Sequence, residues 1–291
     1  MTAISIRKRV VFITGCSSGI GYCAAHRLHK QGYHVIASAR NLSDVSRLKK
    51  EGLDCIQLDL DDTTSIEAAV EDVAVKTGKR LYGLFNNAGF GQPGAVEDLS
   101  RDALRAQFET NVFGTLELTN HVLPWMREAG EGRIVQNSSV LGFVSLAYRG
   151  AYNASKYALE GFYDTLRLEL AGTNIFPVLI EPGPITSRFR ENAFAAYQRN
   201  IDIEHSAHRE AYLAMERRLK QKGPAVPFTL PPGAVADKLL RALSSRRPRG
   251  RYYVTFPTYL FGTLKRLLST RGLDRVLLNV SRDEQTEKPR T

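Results

Sequence analysis

Tyr152 and Lys156 stand four residues apart in Ala151-Tyr152-Asn153-Ala154-Ser155-Lys156, a spacing that puts both side chains on one face of a helix. A phenol ionises near pH 10 and is a poor acid or base at neutrality, and bringing it to about 7 takes ~4 kcal/mol. One ammonium about 4 Å away supplies roughly that much at an effective dielectric near 20. The pair could therefore pass a proton to or from an oxygen atom. A bare Tyr-x-x-x-Lys is common on helices, so its meaning rests on what else the chain places around it.

A second feature is the run Thr14-Gly15-Cys16-Ser17-Ser18-Gly19-Ile20-Gly21. It joins the apolar run Val10–Thr14 to a helical pattern over Gly21–Gln31. Glycines in a first strand-to-helix turn let the backbone approach a pyrophosphate at the positive end of the helix. The second strand ends Ser38-Ala39-Arg40-Asn41, where an NAD-binding domain carries a carboxylate for the ribose hydroxyls. Here no acid repels a 2′-phosphate and Arg40 offers a guanidinium suited to one. The expected dinucleotide is NADP(H) rather than NAD(H).

The Gly-x-x-x-Gly-x-Gly spacing resembles the cofactor loop of the short-chain dehydrogenase/reductase family, and further motifs carry the resemblance on to Thr186. Asp59-Leu60, Asn86-Asn87-Ala88-Gly89, Asn111 in Phe108–Gly114, Ser139 thirteen residues before Tyr152, and Pro182-Gly183-Pro184-Ile185-Thr186 follow in the family's order. The wording of the motifs is similar to the branch holding bacterial NADP-dependent aldehyde reductases and the related hydroxysteroid and retinol dehydrogenases. The resemblance implies that Ser139 and Tyr152 hydrogen-bond the substrate oxygen, with Tyr152 as general acid in reduction and its phenolate as base in oxidation. It implies that Lys156 also holds the nicotinamide ribose and that Asn111 sustains a water relay from it. Implied cofactor contacts are Gly15, Ser17, Ser18, Gly19, Ile20, Gly21, Arg40, Asp59, Leu60, Asn87, Ala88, Gly89, Tyr152, Lys156, Pro182, Gly183, Ile185 and Thr186. For Asp59 the alternative use is a helix cap, which Asp61 or Asp62 could also provide.

These side chains need a scaffold, and the pattern supplies one. Strands are expected at Val10–Thr14, Tyr33–Ala39, Leu53–Leu58, Leu81–Phe85, Arg133–Asn137, Ile175–Ile180 and Arg251–Phe256. Helical stretches separate them: Leu42–Glu51, Thr64–Lys76, Ser100–Ala129 with breaks near Gly114 and Pro124, Tyr152–Ala171 and Pro231–Ser244. Strands alternating with helices imply a single doubly wound α/β domain of Rossmann type with a mostly parallel seven-stranded sheet. Residues 8–183 would form the cofactor and catalytic core, 184–230 a substrate lid, 231–280 the closing helices and last strand, and 281–291 a frayed end. Within that plan Ser139, Leu141, Phe143, Tyr148 and the lid's Phe189 are the expected substrate contacts, with Phe90, Pro93 and Phe194 nearby. An apolar, aromatic pocket suits a small lipophilic aldehyde, ketone or alcohol.

The 291 residues carry a net charge of +10. From Arg241 onward 12 Lys and Arg face 4 Asp and Glu, a net +8. Such a run is most often a solvated face, so no nucleic-acid partner is expected. The amphipathic stretch Tyr259–Leu278, with Lys265, Arg266, Arg271 and Arg275, could touch a membrane surface weakly but is expected to pack beside the substrate site or a neighbouring subunit. Cys16, Cys23 and Cys55 lack metal-ligand spacing and suit a reducing compartment. With no signal-like leader and no spanning run of apolar residues, the expectation is cytoplasmic. Glu204, His205, His208 and Glu210 lack a completing partner, so no metal is expected. The family resemblance implies a homodimer or homotetramer. A cofactor-sensing regulator without turnover is the alternative; such proteins tend to lack the tyrosine or lysine that this chain has.

Overall fold

Short apolar runs become the strands, and their alternation decides which helix each side chain meets. A computed structural model describes residues 9–220, 223 and 226–285. Arg7 and Lys8, four residues of the expected lid (221, 222, 224 and 225) and residues 286–291 lie outside the described residues. The strands are β1 (Val10–Ile13), β2 (His34–Ala39), β3 (Asp54–Gln57), β4 (Gly83–Asn86), β5 (Gly132–Asn137), β6 (Ile175–Glu181) and β7 (Arg251–Tyr253). They form one sheet in the order β3-β2-β1-β4-β5-β6-β7, and every pairing is parallel.

Parallel strands need crossovers, and these cover both faces. Val11 and Ile13 of β1 share one core with α1 (Gly19–Lys30), α2 (Leu42–Lys50) and α9 (Gly233–Ser244). Val10 and Phe12, one step out of phase, share the other with α3 (Thr63–Thr77), α5 (Gly114–Ala129) and α6 (Gly150–Glu169). Strands buried on both faces read as unbroken apolar runs, which is why Val-Val-Phe-Ile does not alternate with polar residues. Between β1 and β4 the winding reverses, and the carboxyl ends of these strands open a crevice where such folds bind ligands.

The helical region before β5 departs from expectation in an instructive way. It divides into α4 (Arg101–Phe108), a π-helical turn at Glu109–Phe113 and α5. The break expected near Gly114 is this wide turn. No break occurs at Pro124, which lies inside α5; there the proline removes a single intrahelical donor while Val122, Trp125 and Met126 hold the helix to the sheet.

Past β6 the lid contains α7 (Phe189–Asn200) and α8 (Arg209–Lys220). A separate apolar cluster around Tyr197, Tyr212, Ile201 and Met215 holds these two helices to Ala95 and Leu99. The single tail helix expected over Tyr259–Leu278 is two, α10 (Phe256–Leu267) and α11 (Thr270–Gln285). Their inward residues Phe261, Leu273 and Leu277 pack on Leu141, Val144 and Tyr152. Residues 281–285, expected to fray, continue α11, and Ser281 lies buried with its hydroxyl accepting from Ala147 N at 3.4 Å.

Candidate active site

The loop after β1 is shaped by what it must approach. Gly15 has φ +70°, and a Cβ there would lie 2.8 Å from Ala88 Cα; one on Gly21 would lie 2.2 Å from Gly15 O. Only glycine lets the loop, the first turn of α1 and the Asn87-Ala88 backbone meet so closely. The side chain of Ser18 makes no capping bond at the start of α1, leaving the positive helix end open to an anion. Thr14 ties the loop to the end of β4, its hydroxyl accepting from the amides of Asn87 and Ala88, both at 2.9 Å. Asn87 in turn donates to Thr14 O at 2.9 Å and accepts from Asn137 Nδ2 at 3.0 Å.

That chain of bonds reaches the reactive residues. Lys156 Nζ donates to Asn137 O at 2.8 Å. Ser139 follows β5 and caps a short 3-10 turn, its hydroxyl accepting from Leu141 N at 3.1 Å. The same hydroxyl neighbours Tyr152 and favours the ionised phenol, yet burial prevails and pushes Tyr152 up to about 12. Burial also pushes Lys156 down to about 8, opposed by the charge of Glu160. The ammonium points at a backbone carbonyl, 5.6 Å from the centre of the phenol ring.

Ser139, Tyr152 and Lys156 line one large cleft of about 1480 Å³, together with Ile20, Asn87, Gly89, Pro182, Gly183, Ile185 and Thr186. Leu141, Phe189 and Pro93 also line it. Phe189 packs edge-on against Tyr152 with ring centres 5.2 Å apart. The family model described as short chain dehydrogenase matches residues 9–198. The chain belongs to the short-chain dehydrogenase/reductase family.

Relatives match over nearly the whole length. An uncharacterized oxidoreductase, YbbO, of Escherichia coli (strain K12) is 43% identical over 272 residues, covering 94% of this chain and 95% of its own. Human 17-beta-hydroxysteroid dehydrogenase type 1 is 35% identical over 263 residues, 85% of this chain and 78% of its own. A crystal structure of a short-chain dehydrogenase from Streptomyces avermitilis superposes with a TM-score of 0.73 at 29% identity, covering 97% and 99% of the two chains.

Other expected residues stand apart from the cleft lining. Asn111 sits in the π-helical turn and is 1% exposed. Its amide clamps the loop after β4, exchanging bonds with Phe90 N and O at 3.1 and 3.0 Å and donating to Ser155 Oγ at 3.1 Å. Arg40 is exposed beyond the end of β2. Asp59 accepts from Asp61 N at 3.2 Å, while Asp62 caps α3 through Thr64 N. Leu60 is buried.

Two expected substrate contacts, Phe143 and Tyr148, are not among the residues lining the cleft. Phe143 stacks on Tyr253 of β7 at 5.6 Å. Tyr148 packs edge-on against His208 and Tyr212, so it anchors the lid. Phe194 likewise stacks on Tyr197. Glu204, His205, His208 and Glu210 do not converge: His205 pairs with Asp202 at 2.7 Å and His208 with Glu97 at 2.5 Å.

Sequence reading missed a buried network beneath the family's reactive pair. Arg251 of β7 pairs with Glu160 and Glu181, and with Asp164 at 2.6 Å. Ser138 donates to Glu160. Burial, then the negative charge of Glu160, push the Glu181 carboxyl up to about 8 against the pull of Arg251. A signal existed: the four-residue step from Tyr152 to Lys156 continues along α6 to Glu160 and Asp164. Arg47 was also missed, and it donates to Ser17 O at 2.7 Å.

Proposed function

We propose that this chain is an NADP(H)-dependent oxidoreductase interconverting lipophilic aldehydes or ketones and the corresponding alcohols. The observation that carries the reading is Tyr152, half-buried at the cleft beside Ser139 with Lys156 one helical turn away. The glycine-shaped loop, with the uncapped start of α1, fits a dinucleotide pyrophosphate. Gly15, Ser17, Ser18, Gly19, Ile20 and Gly21 would hold it, and Pro182, Gly183, Ile185 and Thr186 would face the nicotinamide. The preference for NADP(H) is supported by Arg40 where a carboxylate would otherwise stand, and by Arg47, whose guanidinium lies against the same loop.

The cofactor, when bound, supplies or accepts the hydride, and its oxidised ring brings positive charge. Tyr152 and Ser139 orient the substrate oxygen by hydrogen bonds, and Tyr152 gives or takes the proton. Lys156, fixed by Asn137 O, replenishes the proton and holds the ribose. Asn111 keeps the β4 loop in place around both. Leu141, Leu146, Phe189 and Phe261 give the cleft an apolar wall, which favours a lipophilic substrate, in keeping with the steroid named for one relative.

We place the enzyme in the cytoplasm: no helix among the described residues is long and apolar enough to cross a membrane, and Cys16, Cys23 and Cys55 are free thiols. Exposed Phe113, Tyr157, Phe162 and Leu168 support self-association through the α5 and α6 faces. The test is consumption of NADPH and NADH across panels of aldehydes, ketones and steroids, with alcohols and NADP⁺ run in reverse. Turnover with NADPH and apolar carbonyls is expected. NADPH binding without turnover of any of them would leave a cofactor sensor instead.

A further inference from the structure

Helix α10 carries its apolar stripe on the outside. Phe256, Tyr259, Leu260 and Leu267 recur at helical spacing and are 56%, 50%, 40% and 75% exposed, whereas Thr258 and Gly262 on the other side are buried. An amphipathic helix in a globular protein normally turns such a stripe inward. Phe228 extends the patch, exposed and 4.9 Å from the Phe256 ring. The next helix adds charge. Leu273 and Leu277 hold α11 to the core, so Arg271, Arg275 and Leu278, half a turn away, face out and are exposed. Arg266 is exposed beside the α10 stripe and Asp274 is exposed on α11, while Lys265 turns away to donate to Phe143 O.

We infer that α10 and α11 form a docking surface for an anionic phospholipid bilayer. Exposed aromatic and leucine side chains beside arginines are the composition of an interfacial helix, and the cations complement acidic headgroups. A second copy brought face to face would set these cations against their own counterparts, which disfavours it as the occupant. The surface is also continuous with the cleft, because Phe228, Phe256 and Leu260 line the cleft while being exposed. An apolar molecule leaving the bilayer would meet the cleft mouth directly. The docking itself does not depend on the proposed reaction, and its test reads no turnover.

The test is sedimentation of the full chain with vesicles of phosphatidylcholine alone or containing a minority of phosphatidylserine. Two variants accompany it, Arg271→Glu/Arg275→Glu and Tyr259→Ser/Leu267→Ser, each checked by thermal melting and by light scattering. The protein should pellet with the acidic vesicles, stay in solution with the neutral ones, and be released by salt. Loss of a basic residue should weaken partition about fivefold each, hence about 25-fold or more for the charge-reversed pair. Loss of the apolar stems should weaken it about tenfold or more. Protein that stays in solution with acidic vesicles, or variants that pellet like the parent, would overturn the inference. So would dissociation of an assembly by the serine variant, which would make the stripe a contact between copies.

Discussion

The floor of the cleft and its roof are held by different forces. The floor, from Thr14 through Asn87 and Asn137 to Lys156, is a run of hydrogen bonds between buried and half-buried polar groups, costly to leave unmade. The roof, α7 and α8, rests on a small apolar cluster with a few polar clasps, such as Tyr212 Oη to Asp98 at 2.5 Å. A directional network fixes atoms to fractions of an ångström, as proton transfer demands. Apolar packing fixes volume and tolerates exchange of side chains, as a substrate pocket allows. On the proposed function, the chemistry belongs to the floor and substrate choice to the roof.

The largest effect should come from removing the floor's acid. Tyr152→Phe is expected to lower kcat by roughly 10²–10⁴ while fluorescence titration still shows NADPH binding; retained turnover would end the assignment. Arg40→Ala should come next, raising KM for NADPH about 10- to 100-fold, as expected for a charged hydrogen bond, with little change for NADH. Equal effects on both coenzymes would remove Arg40 from the phosphate site. Phe189→Ala removes the ring by which the roof packs on Tyr152. It should raise KM for apolar carbonyls about 2- to 10-fold, the range of an aromatic pair, and leave the pH profile of kcat unmoved. A large loss of kcat instead would erase the division between floor and roof.

The smallest effect concerns stability under the floor. Glu181 is raised to about 8 in the folded chain, above its value near 4.5 when unfolded. The stability it contributes is full below about 4.5 and falls as pH rises through 8. Glu181→Gln resembles the protonated form, so its melting temperature should gain on the parent between pH 5 and 8, on the order of 2–4 °C. A difference that stays constant with pH would show that the carboxyl does not hold its proton there.

The floor was legible in the sequence and the roof was not, for reasons that follow from the same contrast. Glycine at Gly15 and Gly21 and the step from Tyr152 to Lys156 are set by backbone geometry, which leaves a fixed spacing. The strands stood out because burial on both faces leaves unbroken apolar runs. The surroundings of Tyr148 and Phe143 are not legible, because an aromatic ring carries no mark of whether it faces a cleft or a neighbour, here His208 and Tyr253. Arg251 was invisible as a partner of Glu160, since 91 residues separate them. The field around Tyr152 is not legible either, because desolvation depends on what packs around the phenol.

The wide turn at Glu109–Phe113 makes chain length itself a constraint. It accommodates one residue more than a regular turn would. A chain shortened by one residue there would rotate all that follows by about 100°. It could then keep Asn111 beneath the Gly89–Phe90 backbone or keep Trp125 and Met126 seated on the sheet, but not both. Between Ser100 and Gly130, the number of residues matters as much as their kind.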